Sequence, residues 1–325
     1  LIIVQTPLRI SLFGGGTDFP SFFLKEGGCV LSTAIDKYIF VTIKKRFDDK
    51  LRVGYTSTEM VDRVDDIKHE LIREAFKLAG ISKGVEVNTT GDIPAGTGLG
   101  SSSTVTVGVL NAMFTYLNIP VHPEQLAQLA CQIEIETLQK PIGYQDQYIA
   151  AYGGFRLIEF GKDGKTNTQV IKLSSESENR LSDNLLLFYT GVRRQAETIL
   201  AEQKQNISDH SSILKSLKQM AYAAVEELQK GDIDCIGHML HESWQLKKQL
   251  ASGISNDTIN EYYEKAIQAG ALGGKLTGAG GGGFLLVYAP YEKRTPIRES
   301  LRELREIPIN LEPSGSKVIF DYRRS

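Results

Sequence analysis

Pro94-Ala95-Gly96-Thr97-Gly98-Leu99-Gly100-Ser101-Ser102-Ser103-Thr104 joins a segment that alternates like a half-buried strand (84–90) to one with the pattern of a long helix (102–117). A glycine-rich turn at such a junction brings several backbone N–H groups and the positive end of a helix dipole to one point. That geometry suits a phosphate. The glycines remove the Cβ atoms that would hold phosphate oxygens away, and the serines add hydroxyl donors and a ligand for Mg²⁺. A serine-capped turn with no ligand is the plainer reading, but so long a run of glycine and serine at a helix start favours the phosphate. The pattern is not GxxxxGK[ST], because Gly274-Lys275 is followed by Leu276 and Ala269 holds the first glycine's position. Nor is it GxGxxG, since Ser102 and Ser103 follow Gly98-Leu99-Gly100.

Two further glycine-rich segments lie on either side. Thr6-Pro7-Leu8-Arg9-Ile10-Ser11-Leu12-Phe13-Gly14-Gly15-Gly16-Thr17-Asp18 begins as an apolar strand interrupted by Arg9. Arg9 is either half of a structural ion pair or a charge near phosphates. Asp18 either caps a turn or grips ligand hydroxyls. Lys275-Leu276-Thr277-Gly278-Ala279-Gly280-Gly281-Gly282-Gly283-Phe284 is oddly placed for a flexible linker, between apolar segments. Close approach of its backbone to a ligand, or to the loop at 94–104, is the better account.

The bulk composition excludes several function classes. With 37 basic and 39 acidic side chains the formal net charge is −2, and no tract is basic enough for a nucleic-acid footprint. Lys44-Lys45-Arg46 reads as a solvated strand end. No apolar run approaches the roughly 20 residues that span a bilayer. Leu1-Ile2-Ile3-Val4 reads as a first strand rather than a signal peptide. Cys29, Cys131 and Cys235 form neither a disulfide framework nor a CxxC metal site, which points to a reducing cytoplasm.

A length of 325 residues is enough for two domains sharing a cleft. Strand patterns fall at 1–13, 29–35, 38–46, 51–56, 84–90, 153–160, 168–173, 185–189, 283–289 and 316–322. Helical patterns fall at 67–80, 102–117, 123–138, 194–207, 210–229, 233–250, 257–269 and 293–305. The polar stretch 174–183 reads as a linker. The fold class is therefore α+β in two lobes, 1–180 and 181–325, without a regular βαβ alternation.

Taken together and in this order, the three glycine segments resemble the GHMP kinases, over nearly the whole chain. The resemblance implies a two-lobed kinase fold with a ferredoxin-like C-terminal lobe, ATP and Mg²⁺ as cofactors, and a small sugar or sugar phosphate as acceptor. Within the family, Gly143-Tyr144-Gln145-Asp146-Gln147-Tyr148 and the two outer glycine segments are most similar to heptose 7-phosphate kinases. Tyr144 stands where that resemblance leads to a lysine. The implied reaction is transfer of the γ-phosphoryl group to the anomeric hydroxyl of D-glycero-D-manno-heptose 7-phosphate. Other acceptors (galactose, fucose, a hexose phosphate) are the alternatives, with a non-catalytic sensor or a decarboxylase further off. No nucleic acid or membrane partner is implied, and a homodimer stays open.

The resemblance also assigns roles. Asp146 is the candidate base, and Arg9 the basic residue beside it. Pro94, Gly96, Gly98, Leu99, Gly100, Ser101, Ser102 and Ser103 would bind the nucleotide. Gly15, Gly16, Asp18, Gly278 and Gly280 would bind the acceptor. The metal would take Ser102 and a glutamate upstream of Asp146. Two glutamates compete. On a helical period Glu134 shares the inward face of Ala127, Ala130 and Leu138, whereas Glu136 shares a solvated face with Gln132, Gln139 and Lys140, so Glu134 is the expected ligand. Arg193 and Arg194 are a surface pair or, second, a clamp for a substrate phosphate.

Overall fold

A computed structural model describes residues 1–192 and 196–322. Arg193 and Arg194 lie outside the described residues. Among the described residues run twelve strands: β1 (Ile2–Phe13), β2 (Gly28–Lys45), β3 (Leu51–Gly54), β4 (Thr58–Val61), β5 (Val85–Gly91), β6 (Phe155–Phe160), β7 (Thr166–Val170), β8 (Leu185–Tyr189), β9 (Gly273–Leu276), β10 (Phe284–Tyr288), β11 (Arg305–Ile307) and β12 (Lys317–Asp321). They form two sheets.

In the first sheet the order is β12-β1-β2-β5-β3-β4, with β6 also on β2 and β7 on β6. β2 was expected as two strands and is one. Its first half pairs with β6 and its second with β5, while β1 runs along its other edge. Asp36 and Lys37 are extra residues between the pairs Leu8↔Ile35 and Pro7↔Tyr38, a bulge that bends the strand without ending it. The helix Ser101–Tyr116 lies against β1 and β2 and is apolar on most sides, as a helix enclosed by other elements must be. It comes closest at Gly108, where a Cβ would meet Thr6 Oγ1 at 2.9 Å and Val41 Cγ2 at 3.0 Å.

The second sheet is antiparallel throughout, in the order β11-β8-β10-β9. Among the described residues four helices separate β8 from β9, and the helix Arg294–Ser300 separates β10 from β11. Strand–helix–strand–strand–helix–strand with the first and third strands central is the ferredoxin-like arrangement. Its core includes Phe188, Trp244, Leu285 and Ile297. The helix Ser211–Lys230 packs on β1 and β2 and so joins the two halves.

Several local expectations are corrected. The stretch 174–183 is no linker: the helix Ser175–Asn184 forms there, its first turn capped by the Ser174 hydroxyl accepting from Ser177 N–H at 3.1 Å. The pattern at 123–138 is an α-helix, Pro123–Cys131, continued by a π-helical turn, Gln132–Thr137. The last strand, β12, returns to the first sheet beside β1, so the stretch 181–325 supplies an edge of the other half. Among the described residues no helix is long and apolar enough to cross a membrane.

Candidate active site

Arg9 projects from β1 and is buried. Its guanidinium grips Asp146 with two parallel hydrogen bonds, Nε to Oδ1 at 2.7 Å and Nη2 to Oδ2 at 2.6 Å. The remaining arm donates to the Gly98 carbonyl at 2.6 Å, and the Arg9 backbone N–H donates to Leu99 O at 3.1 Å. Arg9 therefore holds both the carboxylate and the glycine loop. Asp146 sits in the first turn of the helix Gln145–Tyr152, where the dipole favours an anion. Gly100 lies against this pair, its absent Cβ 3.2 Å from Arg9 Cγ and 3.3 Å from Asp146 Oδ2.

The 94–104 loop carries left-handed glycines at 96, 98 and 100, the last serving as N-cap of the helix Ser101–Tyr116. A cavity of about 580 Å³ opens beside it, lined among others by Tyr55, Ile93, Pro94, Gly96, Ser101 and Ser102. Tyr55 and Ile93 give it an apolar part, and the loop gives it N–H groups, a combination that suits a nucleotide. Gly98 and Leu99 do not line this cavity. Leu99 is core, and Gly98 lies against Thr277.

Glu134 is fully buried on the π-helical turn, whereas Glu136 is exposed. Ser103 Oγ donates to Glu134 Oε2 at 3.1 Å and Ser102 Oγ at 3.3 Å, while Oε1 has no partner. Burial, with the Asp146 charge adding, pushes the Glu134 carboxyl up to about 7; the hydroxyls of Thr106, Ser103 and Ser102 oppose the shift. An orphaned carboxylate oxygen beside a serine hydroxyl, next to a phosphate-type loop, fits a hard divalent cation such as Mg²⁺.

Arg9 and Asp146 themselves line a second cavity, walled by both halves of the molecule. Asp18 is buried there. It accepts from Gly16 N–H at 2.9 Å and from the Gln145 backbone and side-chain amides at 3.2 and 3.0 Å. Burial raises its pKa, and the Asp146 charge adds to the rise. Gly15, Gly16 and Gly278, the glycines expected to bind the acceptor, line the cavity. Gly280 does not. It packs on Ile254, whose carbonyl oxygen would lie 2.7 Å from a Cβ there. Tyr144 also points elsewhere, into ring contacts with Phe23 and Phe160, so the departure at this position does not reach the cavity.

Two cations that were assigned no role come from the C-terminal half. Lys275 on β9 donates to the carbonyls of Ser11 and Leu12, both at 2.9 Å. Lys247, last residue of the helix Cys235–Lys247, donates to Gly278 O. Both are buried. A signal for Lys247 exists in the sequence: Ile236, Leu240, Ser243 and Trp244 form the helix's inward stripe, and Lys247 continues it. A lysine on an apolar stripe needs an explanation.

Comparison with known proteins agrees with this arrangement. Residues 67–154 match the N-terminal domain of the GHMP kinases, and residues 224–306 match their C-terminal domain. A D-glycero-alpha-D-manno-heptose 7-phosphate kinase of Campylobacter jejuni is 33% identical over 93% of each chain. A galactokinase of Pyrococcus furiosus is 27% identical over 94% of this chain and 93% of its own. The crystal structure of a D-glycero-D-manno-heptose 1-phosphate kinase from Bacteroides thetaiotaomicron superposes with a TM-score of 0.84, covering 99% of this chain and 100% of its own at 24% identity. With both domains of the family matched in order and a relative of one-third identity along nearly its whole length, the chain belongs to the GHMP kinases.

Proposed function

We propose that the protein is a cytoplasmic ATP-dependent sugar kinase that phosphorylates the anomeric hydroxyl of D-glycero-D-manno-heptose 7-phosphate. The observation that carries this reading is the Arg9–Asp146 pair, which lines a cavity shared with Asp18 and Lys247 while Arg9 also holds the glycine loop that borders the other cavity. The Campylobacter jejuni relative supports the choice of sugar.

Asp146 orients the acceptor hydroxyl and takes its proton as the oxygen bonds to the γ-phosphorus and the bond to the leaving ADP oxygen breaks. Arg9 holds that carboxylate in line and offsets negative charge at the same point. Asp18 accepts hydrogen bonds from sugar hydroxyls, and beside it the Gln145 side-chain Oε1 has no partner among the described residues. Glu134 and Ser102 would hold Mg²⁺, which when bound neutralises phosphate charge.

ADP release from Mg·ATP, measured against heptose 7-phosphate, free heptose, galactose, fucose and hexose phosphates, tests the assignment. Turnover confined to heptose 7-phosphate is expected. Turnover on galactose or fucose instead would keep the kinase and overturn the heptose. ATP binding without turnover on any acceptor would overturn both.

A further inference from the structure

We propose that Lys247 and Ser11 form a seat for the acceptor's own phosphate, so that this cavity selects phosphorylated over unphosphorylated sugars. The proposal rests on the sugar-kinase reading and deepens it.

Lys247 is 7% exposed and has three N–H bonds to place. Its hydrogen-bond partner is a single carbonyl, Gly278 O, and among the described residues no carboxylate lies within ion-pair distance. Arg9 and Lys275 nearby add positive charge, while Asp18 and Asp146 face it without reaching it. A buried ammonium so poorly paired is costly in the free protein, and an anion in the cavity would offset that cost. Independently, the Ser11 hydroxyl, also 7% exposed, lines the same cavity and has no hydrogen-bond partner among the described residues. Lys247 thus has N–H bonds to spare beyond the one to Gly278 O, and Ser11 has a hydroxyl left to place.

We assign the anion to the acceptor; the other phosphate that must enter this cavity is ATP's transferring phosphoryl group, which meets Asp146 there, and the test separates the two. The cavity that Lys247 lines and the one beside the 94–104 loop share no lining residue.

The test compares wild type, Lys247→Met and Ser11→Ala in steady-state kinetics with heptose 7-phosphate and with free heptose. Lys247→Met is expected to lower the ratio of kcat/KM for phosphorylated over free sugar by about 10- to 100-fold, mainly through KM, and Ser11→Ala to lower it by roughly threefold to tenfold. An unchanged ratio, with kcat reduced alike for both sugars, would overturn the seat and put Lys247 on the transferring phosphoryl group. Calorimetric titration with inorganic phosphate gives a readout free of turnover. Phosphate bound by wild type and lost in Lys247→Met supports the seat even if heptose proves to be the wrong sugar. Phosphate bound equally by both overturns it. ATP affinity serves as the check that each variant is folded.

Discussion

Gly98 and Gly278 meet backbone to backbone: a Cβ on Gly278 would lie 2.6 Å from Gly98 Cα, and one on Gly98 would lie 2.6 Å from Thr277 O. Both hold left-handed conformations, φ +84° and +64°. At this point the loop of the first half rests on the glycine segment of the second.

Gly278→Ala should therefore cost about 2–4 kcal/mol in denaturant unfolding and weaken ATP binding as well. Gly96→Ala is the control. Its φ is also positive, at +77°, but nothing lies within 4 Å of the added methyl, so about 1 kcal/mol is expected. Equal losses at the two sites would mean that backbone strain, not contact, dominates.

Replacing Asp146 by Asn should reduce kcat by about 10²- to 10⁴-fold while leaving the ATP dissociation constant within roughly threefold. The nucleotide cavity is not lined by Asp146. Fluorescence or calorimetric ATP titration beside an ADP-release assay separates the two effects.

Glu134→Gln should have opposite effects on stability and activity. The native carboxyl titrates at about 7, above its ordinary 4.5, so its contribution to stability is present below pH 4.5 and lost as pH rises through 7. Without metal at pH 8 the variant should be more stable than wild type by on the order of 1–3 kcal/mol, and the gap should close by pH 5. Activity with Mg·ATP should fall at least 100-fold. Thermal unfolding at the two pH values checks the first, and a Mg²⁺ titration of turnover the second.

The pH dependence of Lys247 has its own sign. Burial, with Arg9 adding to it, pushes the ammonium down from 10.5 to about 8, against the pull of Asp18 and Asp146; Lys275 is the other cation facing it. Above about pH 8 the free enzyme loses this charge, so kcat/KM for an anionic acceptor should fall, approaching tenfold per pH unit. Stability moves the other way. Between about 8 and 10.5 the unfolded chain binds more protons, so this group's contribution to stability rises with pH. Lys247→Met should flatten both profiles.

Much of the framework was legible because it rests on local periodicity. The helices expected at 194–207, 210–229 and 257–269 appear as Ala196–Gln205, Ser211–Lys230 and Asp257–Gln268. Arg9 stood out as a charge in an apolar strand, and Glu134 as the inward member of its pair. Other features depend on contacts remote in sequence. Nothing local says that β2 continues through Asp36 and Lys37; the bulge is held from outside, where Asn310 donates to both Asp36 carboxylate oxygens at 2.8–2.9 Å. The helix Gln145–Tyr152 is short and begins Gln-Asp-Gln, with almost no amphipathic signature. The helix Ser175–Asn184 is polar enough to pass for a linker. Asp18 and Gln145 are 127 residues apart and meet only through the fold.

The return of β12 to β1 bears on how the protein is made. A ribosome delivers β1 before the other described strands, yet the strand that covers its outer edge comes with residues 317–321. Until then the ladder groups of β1 on that side have no strand partner. The first half therefore cannot close as a finished unit while the second is still being synthesised, unlike domains that fold in turn as they emerge. A chain halted before Lys317 would carry a bare sheet edge, open to pairing with any extended segment nearby.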